Sequence, residues 1–124
     1  MAYIIIIEDD ELTRELYREV LKADGHTILE ANDGSEGLKL FEKNDVDLII
    51  TDLLMPNVDG MEVIITIRKS QPDLPIIAVS GGGMGTPELY LFAASNFGAS
   101  MALKKPLSST DLSSAVKECL AEKA

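Results

Sequence analysis

The chain has 124 residues, 46% hydrophobic and 26% charged, a length and composition that suit one globular domain with one buried core. Its 11 Lys and Arg against 21 Asp and Glu leave a net charge of −10 and no basic run, which argues against direct nucleic-acid binding because nothing neutralises phosphates. A single cysteine, Cys119, excludes an internal disulfide and fits a reducing compartment, and no apolar stretch approaches the ~20 residues that span a bilayer.

The amino terminus, MAYIIIIEDDE, has no positive region ahead of its isoleucines and is not a signal peptide, so a cytoplasmic location is expected. Tyr3 to Ile7 is an unbroken apolar, β-branched run and reads as a strand buried on both faces. Four consecutive acids follow, Glu8, Asp9, Asp10 and Glu11. One reading makes them a solvated helix start, favoured by the helix dipole; another gives some of them a function. Glu11 to Asp24 is an amphipathic helix, with Leu12, Leu16 and Val20 on one stripe and Tyr17 and Leu21 beside it.

Gly25 ends that helix, and His26 to Ala31 reads as a weaker strand interrupted by Glu30. His26 is the only histidine, so neither a histidine zinc site nor a Ser-His-Asp triad can be assembled. Asn32 to Ser35 caps a short helix with Leu38 and Phe41 as its apolar contacts, weakened by Gly37.

Leu48-Ile49-Ile50 is the next buried strand, and Asp52 follows where that strand emerges at its carboxyl end. Pro56, Asn57, Asp59 and Gly60 mark a loop and the cap of a helix that carries Met61, Ile64, Ile65 and Ile67 and runs to about Ser70. Pro72 and Pro75 close it. Ile76 to Ser80 is another continuous apolar strand. The glycine-rich run from Gly81 to Gly85 matches neither phosphate-cradling pattern, so a nucleotide site is not expected.

Pro87 suits the first turn of a helix running to Gly98, with Leu89, Phe92 and Ala93 as its core stripe and some of Tyr90, Leu91 and Phe97 facing outward. Met101 to Lys104 is a last short strand before Lys105-Pro106. A final helix follows Ser108 to Asp111, its core stripe formed by Leu112, Ala115, Val116, Cys119 and Leu120. Cys119 in that stripe is a small buried hydrophobe.

Strand and helix therefore alternate five times, the pattern of an α/β doubly wound parallel sheet. The apolar strands 1, 3 and 4 belong inside, and the charge-bearing strands 2 and 5 at the edges, compatible with the order 2-1-3-4-5. Its topological switch lies between strands 1 and 3, where such folds place their chemistry.

Glu8 and Asp9, Asp52, Ser80 and Lys105 then converge from four strand ends. Three carboxylates at close quarters need a cation, and hard oxygen ligands beside open water suit Mg2+. Lys105 adds a second positive charge, and the Ser80 hydroxyl can donate to an oxyanion. The set stabilises a phosphoryl group moving onto a carboxylate oxygen. Each residue also has a plainer role: Lys105 as a solvated edge charge like Lys104, Ser80 bonded to its loop, Asp52 as a turn cap.

The pattern resembles the receiver domain of bacterial two-component response regulators. The resemblance rests on IIIIEDDELTR, DLIITDLLMPNVDG, IIAVSG and GASMALKKPL, and covers essentially the whole chain. It implies one flavodoxin-like receiver domain over residues 1–124, stand-alone or taken from a longer regulator. It also implies that Asp52 accepts a phosphoryl group from a phosphohistidine on a sensor histidine kinase or histidine phosphotransfer protein, in a Mg2+-dependent reaction reversed by autodephosphorylation. Asp9 would be a direct metal ligand, Glu8 one acting through water, and the Leu54 backbone carbonyl the remaining protein ligand. Asp10 falls one residue too late. Ser80 stands at the switch position and Lys105 at the lysine before proline, whose peptide bond is expected to be cis.

The family's partner surface, helix 4, strand 5 and helix 5, would contact a downstream protein, with the chain a monomer or weak homodimer. Ala102 departs from the aromatic residue often found three positions before the lysine, and the glycine run departs in the loop after Ser80. A haloacid-dehalogenase-like phosphatase is an alternative, but it expects an aspartate where Leu54 stands. A pseudo-receiver that binds partners without phosphorylation is another, opposed by the intact acidic pair, Ser80 and Lys105.

Overall fold

Both faces of the central strands are covered, which is why their sequences run apolar without alternation. The computed structural model describes residues 2–54, 59–81 and 87–123. It contains β1 (Tyr3–Ile7), α1 (Glu11–Ala23), β2 (Thr27–Ala31), α2 (Gly34–Lys43), β3 (Leu48–Asp52), α3 (Gly60–Ser70), β4 (Ile76–Ser80), α4 (Pro87–Phe97), β5 (Met101–Lys104) and α5 (Ser109–Lys123). The strands form one parallel sheet in the order β2-β1-β3-β4-β5, as expected from their composition.

Residues alternate between two cores. Ile4, Ile6, Leu48, Ile50, Ile77 and Val79 face one core with Tyr17 and Leu21 of α1 and Leu112, Val116 and Cys119 of α5. Ile5, Ile7, Ile49, Ile76 and Ala78 face the other with Val63, Ile64 and Ile67 of α3 and Ala94 of α4. Register follows from this pleat: Ile4 lies opposite Ile28 on one side and Leu48 on the other. A one-residue slip would exchange the two cores. The edge strands are only half-buried along most of their length.

Three helix starts carry the caps their sequences promise. Asp10, Asp33 and Asp59 each accept a hydrogen bond from the backbone N–H three residues on, at Thr13, Glu36 and Glu62. The single histidine is structural: His26 Nδ1 accepts from the Ala2 N–H at 3.1 Å, and burial holds its pKa below the ordinary value.

Two helices present faces other than those expected. In α1, Leu12 and Leu16 are 77% and 51% exposed, while Tyr17 and Leu21 are buried and Val20 packs beside them. The helix is rolled so that Arg14 also turns toward the sheet, where its guanidinium meets Glu8 and Glu30. That polar attachment decides between two stripes that are similar in sequence.

In α4, Leu89 and Phe92 are 63% and 70% exposed, and Ala94 and Leu91 face the core instead. Ala93 is half-buried. Phe97 does face outward, while Leu91 does not and the Tyr90 side chain lies outside the described residues. An almost uncharged helix offers no polar face to orient it, so its seat is set by neighbours. Ala94 permits close approach to the sheet, and Arg68 of α3 pins the turn after α4 through the Gly98 carbonyl (2.8 Å) and Ser100 Oγ (3.3 Å).

The two α1 stripes make opposite predictions for stability. Leu21→Ala, at a site fully shielded from solvent, should destabilise by about 2–5 kcal/mol, whereas Leu12→Ala should stay within about 0.5 kcal/mol of the parent. Urea unfolding followed by circular dichroism measures both.

Candidate functional site

The crevice lies at the carboxyl edge of the sheet, where β1 and β3 are neighbours and the connections leave toward opposite faces. Glu8 and Asp9 follow β1, Asp52 ends β3, Ser80 ends β4, and Lys105 follows β5. Carboxylate oxygens of Glu8, Asp9 and Asp52 lie within 4.8 Å of one another. Glu8 and Asp52 are buried and Asp9 is exposed. The four consecutive acids thus divide their work. Asp10 turns away to cap α1, and its bonds from the Thr13 hydroxyl and N–H hold its carboxyl below the usual range.

Lys105 answers the buried charge. Its Nζ donates to Glu8 Oε1 at 2.7 Å and to Asp52 Oδ2 at 3.3 Å. Its backbone N–H donates to the Ser80 carbonyl at 2.9 Å, and the Lys105–Pro106 bond is cis, as expected. Gly81 makes room for the lysine stem: a Cβ there would lie 2.4 Å from Lys105 Cβ. Lys104, by contrast, pairs with Glu88 of α4 at the exposed surface.

Electrostatics follow from burial. Desolvation pushes the Glu8 carboxyl up to about 7; the Lys105 hydrogen bond opposes this and the Asp52 charge adds to it. Burial opposes charge on Lys105, but the Glu8 hydrogen bond and the Asp52 and Glu8 carboxylates outweigh it and raise its pKa. Ser80 is fully buried, and its Oγ has no hydrogen-bond partner among the described residues.

Leu54, two residues beyond Asp52, places its N–H 3.5 Å from Asp52 Oδ1. Pro56 and Asn57 of the loop, and 82–85 of the glycine run, lie outside the described residues. The set of carboxylate oxygens, open to solvent at Asp9, fits a hard divalent cation such as Mg2+.

The receiver-domain description of response regulators, as a family model, matches residues 4–117. The chain belongs to this family. The receiver domain is 32% identical over 123 residues to the transcriptional regulatory protein GlrR of Escherichia coli (strain K12), covering 99% of this chain and 27% of that protein. It is 34% identical over 121 residues to the sensor kinase CckA of Brucella abortus (strain 2308), covering 96% of this chain and 12% of that one. The chain therefore spans only a fraction of these curated relatives. Among solved structures, a response regulator receiver domain protein from Clostridium thermocellum superposes with a TM-score of 0.91 at 31% identity, covering 99% of this chain and 97% of that chain. The receiver domain is a signalling domain of two-component systems, and no helix among its described residues is long and apolar enough to cross a membrane.

Some contacts had no motif to announce them. Arg14 Nη1 donates to the Glu8 carbonyl at 2.8 Å, the Asp10 N–H donates to Glu8 Oε2 at 3.1 Å, and Glu30 receives the Arg14 Nε at 3.2 Å. The one signal for them is Glu30 itself, a charge set inside an otherwise apolar strand. Gly60, expected only as part of a helix start, touches the site directly: a Cβ there would lie 2.2 Å from the Asp52 backbone oxygen.

Two measurements follow. Gly60→Ala must move the start of α3 or the Asp52 backbone, and should destabilise by about 1–3 kcal/mol in denaturant unfolding. Glu8, whose folded pKa of about 7 exceeds its ordinary 4.5, lends stability that is present below 4.5 and lost as pH rises to 7. In chelator, Glu8→Gln should therefore gain stability relative to the parent as pH rises across that window, measured by urea unfolding at stepped pH.

Proposed function

We propose that this receiver domain is a phosphoacceptor switch of a two-component phosphorelay, with Asp52 as the acceptor. The observation that carries the proposal is the single ammonium of Lys105 reaching both Glu8 and Asp52 beside a cluster of three carboxylates. An Asp52 carboxylate oxygen attacks the phosphorus of a phosphohistidine on a sensor histidine kinase or a histidine phosphotransfer protein. The O–P bond forms, the N–P bond breaks, and the imidazole leaves with its electron pair and takes a proton. Hydrolysis reverses this: water attacks phosphorus, the Asp52 O–P bond breaks, and inorganic phosphate departs. The domain turns over only its own phosphoryl group.

Asp9 and Asp52, the Leu54 carbonyl, and Glu8 through water are the residues that would hold Mg2+. When bound, Mg2+ supplies positive charge against the phosphoryl oxygens. Lys105 Nζ would leave the Asp52 oxygen for a phosphoryl oxygen, and the Ser80 hydroxyl, without a partner among the described residues, would donate to another; the Lys105–Asp52 contact and the buried Ser80 Oγ support this reading. With Ala102 half-buried where the family often has an aromatic ring, any readout of Ser80 takes another route. The output surface is the face of α4, β5 and α5, where Leu89, Phe92 and Phe97 stand exposed. A downstream protein is its partner, in the cytoplasm, with the domain a monomer or weak homodimer and without direct nucleic-acid contact.

The test is intact mass after incubation with acetyl phosphate and Mg2+. One added phosphoryl group is expected, absent in Asp52→Asn and absent with chelator. Labelling that survives Asp52→Asn overturns the assignment, and steady release of phosphate from small esters favours the phosphatase alternative.

A further inference from the structure

We propose that Arg14, clamped by Glu30, is a positioning residue for the cation site: it orients the acidic pair through the peptide between Glu8 and Asp9. The inference rests on the reading of Glu8 and Asp9 as cation ligands and extends it to the layer behind them.

Every polar group of Glu8 is engaged. Its N–H donates to the Ala31 carbonyl at 3.1 Å, the last bond between β1 and β2. Its carboxylate takes Lys105 on one oxygen and the Asp10 N–H on the other. Its carbonyl leaves the sheet ladder and accepts instead from Arg14 Nη1 at 2.8 Å. That carbonyl and the Asp9 N–H belong to one rigid peptide plane. Holding the oxygen therefore fixes the rotation at which the chain enters Asp9, and with it the direction in which the Asp9 carboxylate leaves the backbone. Asp9 is the exposed member of the cluster, so it most needs such a constraint.

Arg14 is itself held. Its Nε donates to Glu30 Oε1 at 3.2 Å, and Arg18 Nη1, one turn along α1, bonds both oxygens of the same carboxylate at 3.0 and 3.3 Å. The Arg14 side chain is only 14% exposed, unlike the freely solvated surface pairs that contribute little. Glu30 is paired in register with Ile6 on β1 and faces the same side of the sheet, so the clamp lies under α1. The planar fork of a guanidinium can serve a carbonyl and a carboxylate at once, and an ammonium cannot reproduce that geometry. The arrangement is that of a partner behind a metal ligand, whose loss typically costs metal affinity.

The experiment is calorimetric titration of the whole chain with Mg2+, beside melting temperatures in chelator. Arg14→Met should weaken Mg2+ binding about 10–100-fold. Arg14→Lys and Glu30→Gln should each weaken it by a smaller factor that still exceeds the scatter of replicate titrations. If these variants melt lower in chelator yet bind Mg2+ with the parent's affinity, Arg14 only fastens α1 to β2 and the proposal is overturned. Should Arg14→Met fail to fold, the titrations of Arg14→Lys and Glu30→Gln decide the question by the same criterion. A parent that binds Mg2+ but takes no phosphoryl group overturns the functional reading alone, and a parent that binds no Mg2+ overturns both.

Discussion

Two carboxylates buried side by side are the constraint around which the rest of this domain is arranged. Glu8 and Asp52 lie at the ends of adjacent strands, both shielded from water, with Asp9 close by. Like charges so placed are costly unless a cation answers them. In the structure that cation is the Lys105 ammonium, brought from the far side of the sheet by the turn after β5. Burial, more than the neighbouring Asp52 charge, pushes the Glu8 carboxyl up to about 7, and the Lys105 hydrogen bond opposes it only in part.

The sheet supplies the proximity and the loops supply the approach. Parallel pairing of β1 with β3, and of β3 with β4 and β4 with β5, puts every carboxyl end on one edge. Close contacts then bring the connections in. Gly60 lets the start of α3 press against the Asp52 backbone, and Gly81 lets the Lys105 stem cross the end of β4. The interior hydroxyl of Ser80 completes the set as a donor without a partner among the described residues.

Helix α1 shows how a polar contact can overrule apolar periodicity. Leu12 and Leu16 form as regular a stripe as Tyr17 and Leu21, yet only the second pair is buried. A roll that buried the first pair would withdraw Arg14 from the Glu8 carbonyl and from Glu30, leaving a buried acceptor unpartnered. The site and the seating of its neighbouring helix are thus one problem with one solution.

The order of elements, the central and edge strands, and the residues at the four strand ends were all legible in the sequence. They depend on composition over short windows: YIIII, LII and IIAV are too short for helices of their own and read as strands covered on both faces, and charges in the second and fifth mark the edges. The resemblance set Asp10 one residue too late for the acidic pair, and the structure shows what it does instead, accepting from the Thr13 N–H as the cap of α1. What tertiary structure alone decided was orientation. Which stripe of α1 turns inward depends on Arg14 meeting the Glu8 carbonyl just after β1 and the Glu30 carboxylate of β2, contacts that no local pattern encodes. The face of α4 was likewise undetermined, because a helix with one charged residue is nearly as apolar on every side, and its seat is chosen by Ala94 against the sheet and by Arg68 at its end.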